Sequence, residues 1–163
     1  MSAHNPFSSF GVVPPATATA ATGLEFLRGM IEGRHPAPPF SAATDIWIVS
    51  AEPGRVVFEA MPSARFYNPM GSVHGGWIAT LLDSGMGCAV HSTLKPGQVF
   101  TTLEMKTVFV RAAYEKTGRL RCENLLLHAG SRIASAEGKV YDGEGRLVAY
   151  GSETCLITDP GRQ

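Results

Sequence analysis

Residues 66–92, FYNPMGSVHGGWIATLLDSGMGCAVHS, constrain the fold of this chain more than any other stretch. The run opens as a turn at Asn68-Pro69-Met70-Gly71 and passes through His74-Gly75-Gly76. It continues at helix length with Trp77, Ile78, Ala79, Leu81, Leu82, Gly85, Met86, Gly87, Cys88, Ala89 and Val90, apolar or small on nearly every face. A helix that is apolar all round is a buried helix. Each internal glycine costs about 1 kcal/mol of helix propensity relative to alanine, so a neighbour is expected to approach closely at Gly85 and Gly87. The one charge within the run is Asp83. A carboxylate in such surroundings is expensive unless it is paired or hydrogen-bonded. Asp83 is therefore the residue most in need of an explanation.

The totals exclude several function classes. A chain of 163 residues makes one domain with room for a sizeable core. Fourteen basic residues balance fourteen acidic ones, so the strongly basic footprint of a nucleic-acid binder is absent. Cys88, Cys122 and Cys155 are widely spaced in apolar or strand-like segments, which reads as buried thiols in a reducing compartment. The first ten residues have no basic region followed by an apolar run, and no run is long enough to span a bilayer. A cytoplasmic location without a membrane partner is expected. No cluster of His, Cys, Asp and Glu has metal-ligand spacing, so no metal is expected. The chain has no G-x-S-x-G, so nothing suggests a serine triad.

In chain order, residues 1–21 are rich in Pro, Ala, Thr and Ser and read as a flexible N-terminal arm. A single domain is expected over 22–158, followed by a tail at 159–163. Thr22-Gly23-Leu24-Glu25 has capping-box spacing and opens a short helix over 22–33, with Leu24, Leu27, Met30 and Ile31 on its apolar side. Strand-like runs at 45–51 and 55–61 are split by Glu52-Pro53-Gly54. The central helix is expected over 74–92. Strand patterns follow at 99–111, 118–128, 132–141 and 147–157, with a hairpin signal at Asp142-Gly143-Glu144-Gly145. A helix followed by a meander of long strands argues α+β, with an antiparallel sheet covering one apolar helix. Such a helix cannot lie on a flat sheet with its back in water. The sheet must curl around it, a second protomer must cover it, or both.

Three elements together carry a family resemblance: Asn68-Pro69-x-Gly71-x-x-His74-Gly75-Gly76, then Leu81-x-Asp83, then Thr101-Thr102-Leu103-Glu104-Met105-Lys106. They resemble the hotdog-fold thioesterases, specifically the PaaI-like (phenylacetic acid degradation type) acyl-CoA thioesterases, and the likeness spans residues 40–157. It implies a long central helix wrapped by a curved, five- to six-stranded antiparallel sheet. It also implies a homodimer formed through sheet edges, or a dimer of dimers (a homotetramer). The implied reaction converts an acyl-CoA and water to a carboxylic acid and free coenzyme A. No separate cofactor is needed, because CoA is part of the substrate. The acyl group is left open among aryl, phenylacetyl-type, short-chain and medium-chain forms.

Thioester hydrolysis needs an attacking water or carboxylate, and donors aimed at the oxygen that becomes negative. Gly75 and Gly76 stand where turn becomes helix, with N–H groups at its positive end and no Cβ in the way; their alternative role is the tight turn alone. Asp83 matches the family's carboxylate, as general base or as nucleophile, with burial expected to raise its pKa. The structural alternative for Asp83 is an internal cap or an ion pair with Lys106 or Arg111. The resemblance casts Asn68 as orienting the water or the thioester, while an Asn before Pro also suits a turn. His74 shapes the turn or the site and is not the base. Thr102 is a partner for Asp83 or for the water. Phe66, Trp77 and Met86 are candidates for the acyl or aryl pocket, with core packing as the alternative. Arg111 is a candidate for substrate binding, beside Arg65, Lys106, Arg119, Arg121 and Arg132 for the CoA phosphates.

Helix geometry adds an independent constraint. Gly75 and Asp83 are eight residues apart, roughly 12 Å along one helix, so they cannot both reach one carbonyl carbon from the same chain. Two antiparallel copies side by side would set Gly75 of one beside Asp83 of the other, so catalysis requires a dimer. Two competing readings stand beside this one. A non-catalytic, acyl-CoA-binding regulatory domain would carry a helix-turn-helix ahead of the fold, and residues 1–21 show none. A hotdog enoyl-CoA hydratase would need a histidine close after Asn68-Pro69, where this chain has none at the required spacing.

Overall fold

The computed structural model describes residues 5–160. Residues 1–4 of the expected arm and 161–163 of the expected tail lie outside the described residues. The chain runs α1 (Pro15–Ala18), α2 (Gly23–Ile31), α3 (Pro39–Thr44), β1 (Ile46–Glu52), β2 (Arg55–Ala60), α4 (Gly75–His91), β3 (Val99–Phe109), β4 (Leu120–Ala129), β5 (Ile133–Tyr141) and β6 (Leu147–Thr158). Local chemistry sets the boundaries. At α2, Thr22 Oγ1 accepts from Glu25 N at 3.3 Å while Glu25 Oε2 accepts from Thr22 N at 2.9 Å, a reciprocal cap. The β1–β2 turn places Gly54 at φ +72°, where a side chain would be strained. The β5–β6 hairpin closes on Asp142, whose Oδ1 accepts from Glu144 N and Arg146 N.

All six strands join one antiparallel sheet in the order β1-β2-β4-β5-β6-β3, with β1 and β3 at its edges. The sheet curls around α4, which touches all six strands. Residues 5–21 lie against this body: Gly11 N donates to Ala37 O at 2.9 Å, and Ala37 N donates to Ser9 O at 3.0 Å. Among the described residues, no helix is long and apolar enough to cross a membrane.

The glycines of α4 are where the sheet comes nearest. A Cβ at Gly85 would collide with the side chain of Asn124 on β4. That amide is fully buried and donates to Val56 O at 3.1 Å and Cys122 O at 3.2 Å, stitching β2 to β4 beneath the helix. Across from it, a Cβ at Gly138 on β5 would sit 2.6 Å from Asn124 Oδ1. Gly87 faces Phe100, whose ring would lie 3.1 Å from an added Cβ, and Glu153, whose Oε1 would lie at 3.6 Å.

The apolar surface of α4 is not wholly enclosed by its own sheet. Trp77, Ile78, Leu81, Leu82, Gly85, Met86, Ala89 and Val90 are buried, whereas Gly76 and Asp83 are exposed and Ala79, Thr80 and Ser84 are half-buried. The expectation that Asp83 is buried is therefore corrected for the single chain. Small and polar residues recur along this less buried side of the helix. Edge strand β3 carries Leu103 and Phe109 at 56% and 51% exposure. Its register with β6 shifts between Thr102 and Glu104, so Leu103 is the extra residue of a bulge. Bulges re-aim neighbouring side chains, and this one falls beside a candidate site residue.

Gly85→Ala is expected to lower unfolding stability by about 2–4 kcal/mol, because the methyl group displaces a fully buried, doubly bonded amide. Urea unfolding measures it, and an unchanged midpoint would contradict this account of the helix–sheet contact.

Candidate active site

A cavity of about 230 Å³ opens beside the uncovered side of α4. Its walls come from β1 (Ile46, Trp47, Ile48), β2 (Phe58), β3 (Phe100) and α2 (Met30), with Phe40 of α3 and Phe7 of the N-terminal segment. Pro38 and Ser41, with Asp83, Ser84, Gly87 and Cys88 of α4 and Thr102 of β3, complete it. The lining is overwhelmingly apolar, and Asp83 is its one carboxylate. Burial is the first cause that pushes the thiols of Cys88, Cys122 and Cys155 up to about 12, so none of them supplies a thiolate at neutral pH.

Asp83 stands where α4 meets both the cavity and the open side of the helix. Desolvation on the cavity side pushes its carboxyl above the ordinary value. It forms no hydrogen bond or ion pair with the described residues, so the cap and the pairs with Lys106 or Arg111 are not made. Thr102 lines the same cavity, but its hydroxyl donates to Glu153 Oε1 at 2.6 Å. Of the two expected partners of Thr102, Asp83 does not receive its proton: a hydroxyl has one proton, and Glu153 takes it. Cys155 Sγ also donates to Glu153 Oε1, at 3.0 Å, while Oε2 is buried without a partner. Burial pushes the Glu153 carboxyl upward, the two hydrogen bonds pull it back, and the charge of Asp83 pushes it up further.

Sequence reasoning passed over Glu153, although a signal existed. Gly151, Cys155 and Ile157 alternate as the inward face of β6, and Glu153 falls in phase with them. A carboxylate in an apolar phase of period two is the strand counterpart of the isolated charge on α4.

At the other end of α4, His74 is the N-cap, and its Nδ1 accepts from Gly76 N at 2.9 Å. The ring nitrogen that faces the helix is therefore an acceptor, and the N–H of Gly76 is taken. The N–H of Gly75 has no partner among the described residues. Of the two glycines, only Gly75 keeps an N–H free for a developing oxyanion. It lines a separate groove with Ser72, Phe109 and Arg111. Asn68 spends its side chain inside its own turn: Oδ1 accepts from Met70 N at 2.9 Å and Ser72 N at 3.3 Å, and Nδ2 donates to Ser72 Oγ at 3.0 Å. In the single chain these bonds give Asn68 a turn role.

Three candidate pocket residues lie outside this cavity, in the packing that was their alternative. Trp77 is buried, stacks on Phe66 with ring centroids 5.1 Å apart, and donates its Nε1–H to Thr44 O at 2.8 Å. Phe66 in turn carries the Arg65 guanidinium 4.6 Å from its ring centroid. Met86 is wholly buried, packed toward Gly138. None of the three lines the cavity. On a helix apolar all round, sequence alone does not say which side meets the sheet. Arg111 is exposed beside Gly75 and makes no ion pair with the described residues.

Comparison with known proteins agrees with this architecture. Residues 70–149 match the model of the thioesterase superfamily. A Saccharolobus solfataricus protein named as an esterase is 30% identical over 105 residues, 64% of this chain and 73% of the relative. A solved structure from Ralstonia eutropha JMP134, described as a phenylacetic acid degradation-related thioesterase, is 27% identical with a TM-score of 0.70 or better, namely 0.73, covering 80% of this chain and 98% of that one. A Streptococcus mutans UA159 protein solved with acetyl CoA bound is 25% identical with a TM-score of 0.64, covering 70% of this chain and 89% of that one. The six-stranded antiparallel sheet around one long helix is the hotdog fold, and the chain belongs to the thioesterase superfamily as a thioester hydrolase.

Proposed function

We propose that the protein hydrolyses acyl-CoA thioesters with an apolar acyl or aryl group, in a site shared between two subunits. The observation that carries this reading is the apolar cavity of about 230 Å³ with Asp83 as its one carboxylate. A cavity of about 150 Å³ holds a benzene ring, so this one has room for a phenylacetyl-sized group or a medium-length chain. Its walls are mostly apolar, with Ser41, Ser84, Thr102 and Asp83 as the polar side chains, so an apolar acyl group suits it best. The Streptococcus mutans neighbour with acetyl CoA supports a CoA thioester as the substrate class.

In the general-base route, the Asp83 carboxylate takes a proton from water as the water oxygen bonds to the thioester carbon. The carbonyl oxygen becomes an oxyanion and accepts from the N–H of the partner subunit's Gly75. Collapse breaks the C–S bond, and the CoA thiolate leaves with the proton held by Asp83. In the nucleophilic route, the carboxylate itself attacks and a mixed anhydride is hydrolysed afterwards. Both need Gly75 and Asp83 from different chains. The exposed edge of β3 and the uncovered small-residue side of α4 suit a homodimer, and further pairing of dimers is compatible with it. Arg111, exposed beside Gly75, suits a CoA phosphate.

Thiol release from a panel of acyl- and aryl-CoAs tests the reading. Asp83→Asn is expected to lower kcat by about 10²-fold or more, and equal rates would remove Asp83 from the mechanism. No turnover on any thioester, with CoA ligands still raising Tm, would point to a binding domain.

The pH dependence has a definite sign. Because the Asp83 pKa is raised, kcat/KM should fall with acid along a limb above the ordinary carboxylate range. A raised folded-state pKa in an acid means that the native state holds the proton more tightly than the unfolded state. This contribution to stability is greatest below the unfolded value and is lost as pH rises through the folded one. Asp83→Asn should abolish that loss, so its Tm at neutral pH should equal or exceed that of the wild type.

Mixed dimers test the shared site. Gly75→Pro removes the N–H at a first helical position, where proline is tolerated, and the extended backbone of His74 (φ −61°, ψ 132°) suits a following proline. Each variant alone should be inactive. Co-expressed with Asp83→Asn, the mixed dimer carries one intact site and should recover about half of the activity per dimer. Absence of recovery in an isolated mixed dimer would mean that both groups act within one chain. Arg111→Ala should raise KM for CoA thioesters about tenfold and leave kcat nearly intact, since phosphate binding is uniform between ground and transition states.

A further inference from the structure

Glu153 is a buried carboxyl close to the cavity that the proposed chemistry leaves unused. Its side chain lies between β6 and α4, 1% exposed, behind the cavity wall and not in it. Its Oε1 would lie 3.6 Å from a Cβ at Gly87, one helical turn beyond Asp83. Its other oxygen, Oε2, is buried without a partner. A buried polar atom without a partner costs stability, and an apolar residue of similar size would remove the cost. Every neighbour on the inward face of β6 is apolar or glycine, so packing alone does not call for a carboxyl here.

What the carboxyl does is set the polarity of Thr102. The Thr102 hydroxyl gives its single proton to Glu153 Oε1 at 2.6 Å, and Cys155 Sγ gives its proton to the same oxygen at 3.0 Å. The β3 bulge between Thr102 and Glu104 presents Thr102 at this point of the edge. With its proton turned inward, Thr102 shows the cavity only oxygen lone pairs. Asp83, on the same cavity, also shows only acceptors when ionised. A water between the two donates one proton to each and turns its own lone pair outward, toward the place of a thioester carbon.

We infer that Glu153 is a positioning residue for hydrolysis: it fixes Thr102 as a hydrogen-bond acceptor, so that Thr102 and Asp83 together orient the attacking water. This inference rests on the general-base form of the proposed function. Without Glu153, the Thr102 proton is free to turn toward the water or toward Asp83. In the first case the water lone pair is consumed in a hydrogen bond, and in the second the base is neutralised in part.

The test is a set of variants in steady-state thiol release with a CoA thioester that the wild type turns over, with Asp83→Asn as reference. Glu153→Met should lower kcat about tenfold, the worth of one hydrogen bond, with KM within twofold and the oligomer unchanged. Glu153→Gln keeps an acceptor oxygen for Thr102 and Cys155, and should recover most of what Met loses. In a Thr102→Val background, Glu153→Met should cost nothing further, because the proton it controls is gone. Wild-type kcat in a folded Glu153→Met protein, or a full tenfold loss persisting in the Thr102→Val background, would overturn the assignment. Should Glu153→Met fail to fold, Thr102→Val decides: a kcat loss restored by Thr102→Ser supports the acceptor role, and wild-type kcat overturns it. If Asp83→Asn keeps turning over substrate, the general-base reading falls and this inference falls with it. If Asp83→Asn is inactive, the Glu153 and Thr102 variants bear on the positioning role alone.

Discussion

The fold depends on how closely a sheet can approach a helix that has no polar face to spare. The approach is set by the contact of Gly85 with the Asn124 amide, backed by Gly138 from the neighbouring strand. Three positions forgo ordinary side chains or accept a buried amide so that β2, β4 and β5 can close over α4. The amide is tolerated in the core because two carbonyl oxygens, of Val56 and Cys122, accept its protons. Loss of helix propensity at Gly85 is offset by this packing, since in proteins tertiary contacts contribute more to a helix than propensity does.

Closing the sheet around α4 also decides what is left outside. The curl ends at β3, and the side of α4 that bears Gly76, Ala79, Thr80 and Asp83 is left exposed or half-buried. A helix that is well buried on one side and furnished with small residues on the other suits the proposed dimer, in which a second helix approaches closely. The same geometry keeps Asp83 between two environments. Its cavity side is dry enough to raise the pKa, and its open side keeps it from needing a buried counter-ion. The cost of a charge on this helix is thus moderated by position, and no ion pair is required.

Most of the fold was legible in the sequence because it is written in local chemistry: the Thr22 capping box, the turn at Pro53-Gly54, the Asp142 hairpin and the length of the apolar run all mark boundaries found within a residue or two. The candidate site was legible only where one residue stood out against its neighbours. Asp83 did so by charge. The separation of Gly75 from Asp83 followed from helix rise alone. What stayed hidden was orientation. Trp77 and Met86 stood between pocket and core because a helix apolar all round does not reveal which side meets the sheet, and the cavity walls Trp47, Phe58 and Phe100 come from three strands far apart in sequence. His74 and Asn68 were visible as motif residues, yet the direction of each hydrogen bond, inward to Gly76 and Ser72, needed coordinates.

Hydrogen-bond direction is also what separates the two carboxyls of this region. Asp83 and Glu153 are near enough for the charge of one to raise the pKa of the other, so both cannot be ionised without cost. Exposure breaks the tie: Asp83 keeps one side in contact with solvent, while Glu153 is enclosed and receives protons from a hydroxyl and a thiol. A base must be free to accept a proton and must have nothing else to hold, which describes Asp83. A group that is fully enclosed and already accepts from two donors is suited to fixing the orientation of its donors, which describes Glu153. The roles proposed for the two acids therefore follow from where the curl of the sheet ends, with one carboxyl just inside it and the other just outside.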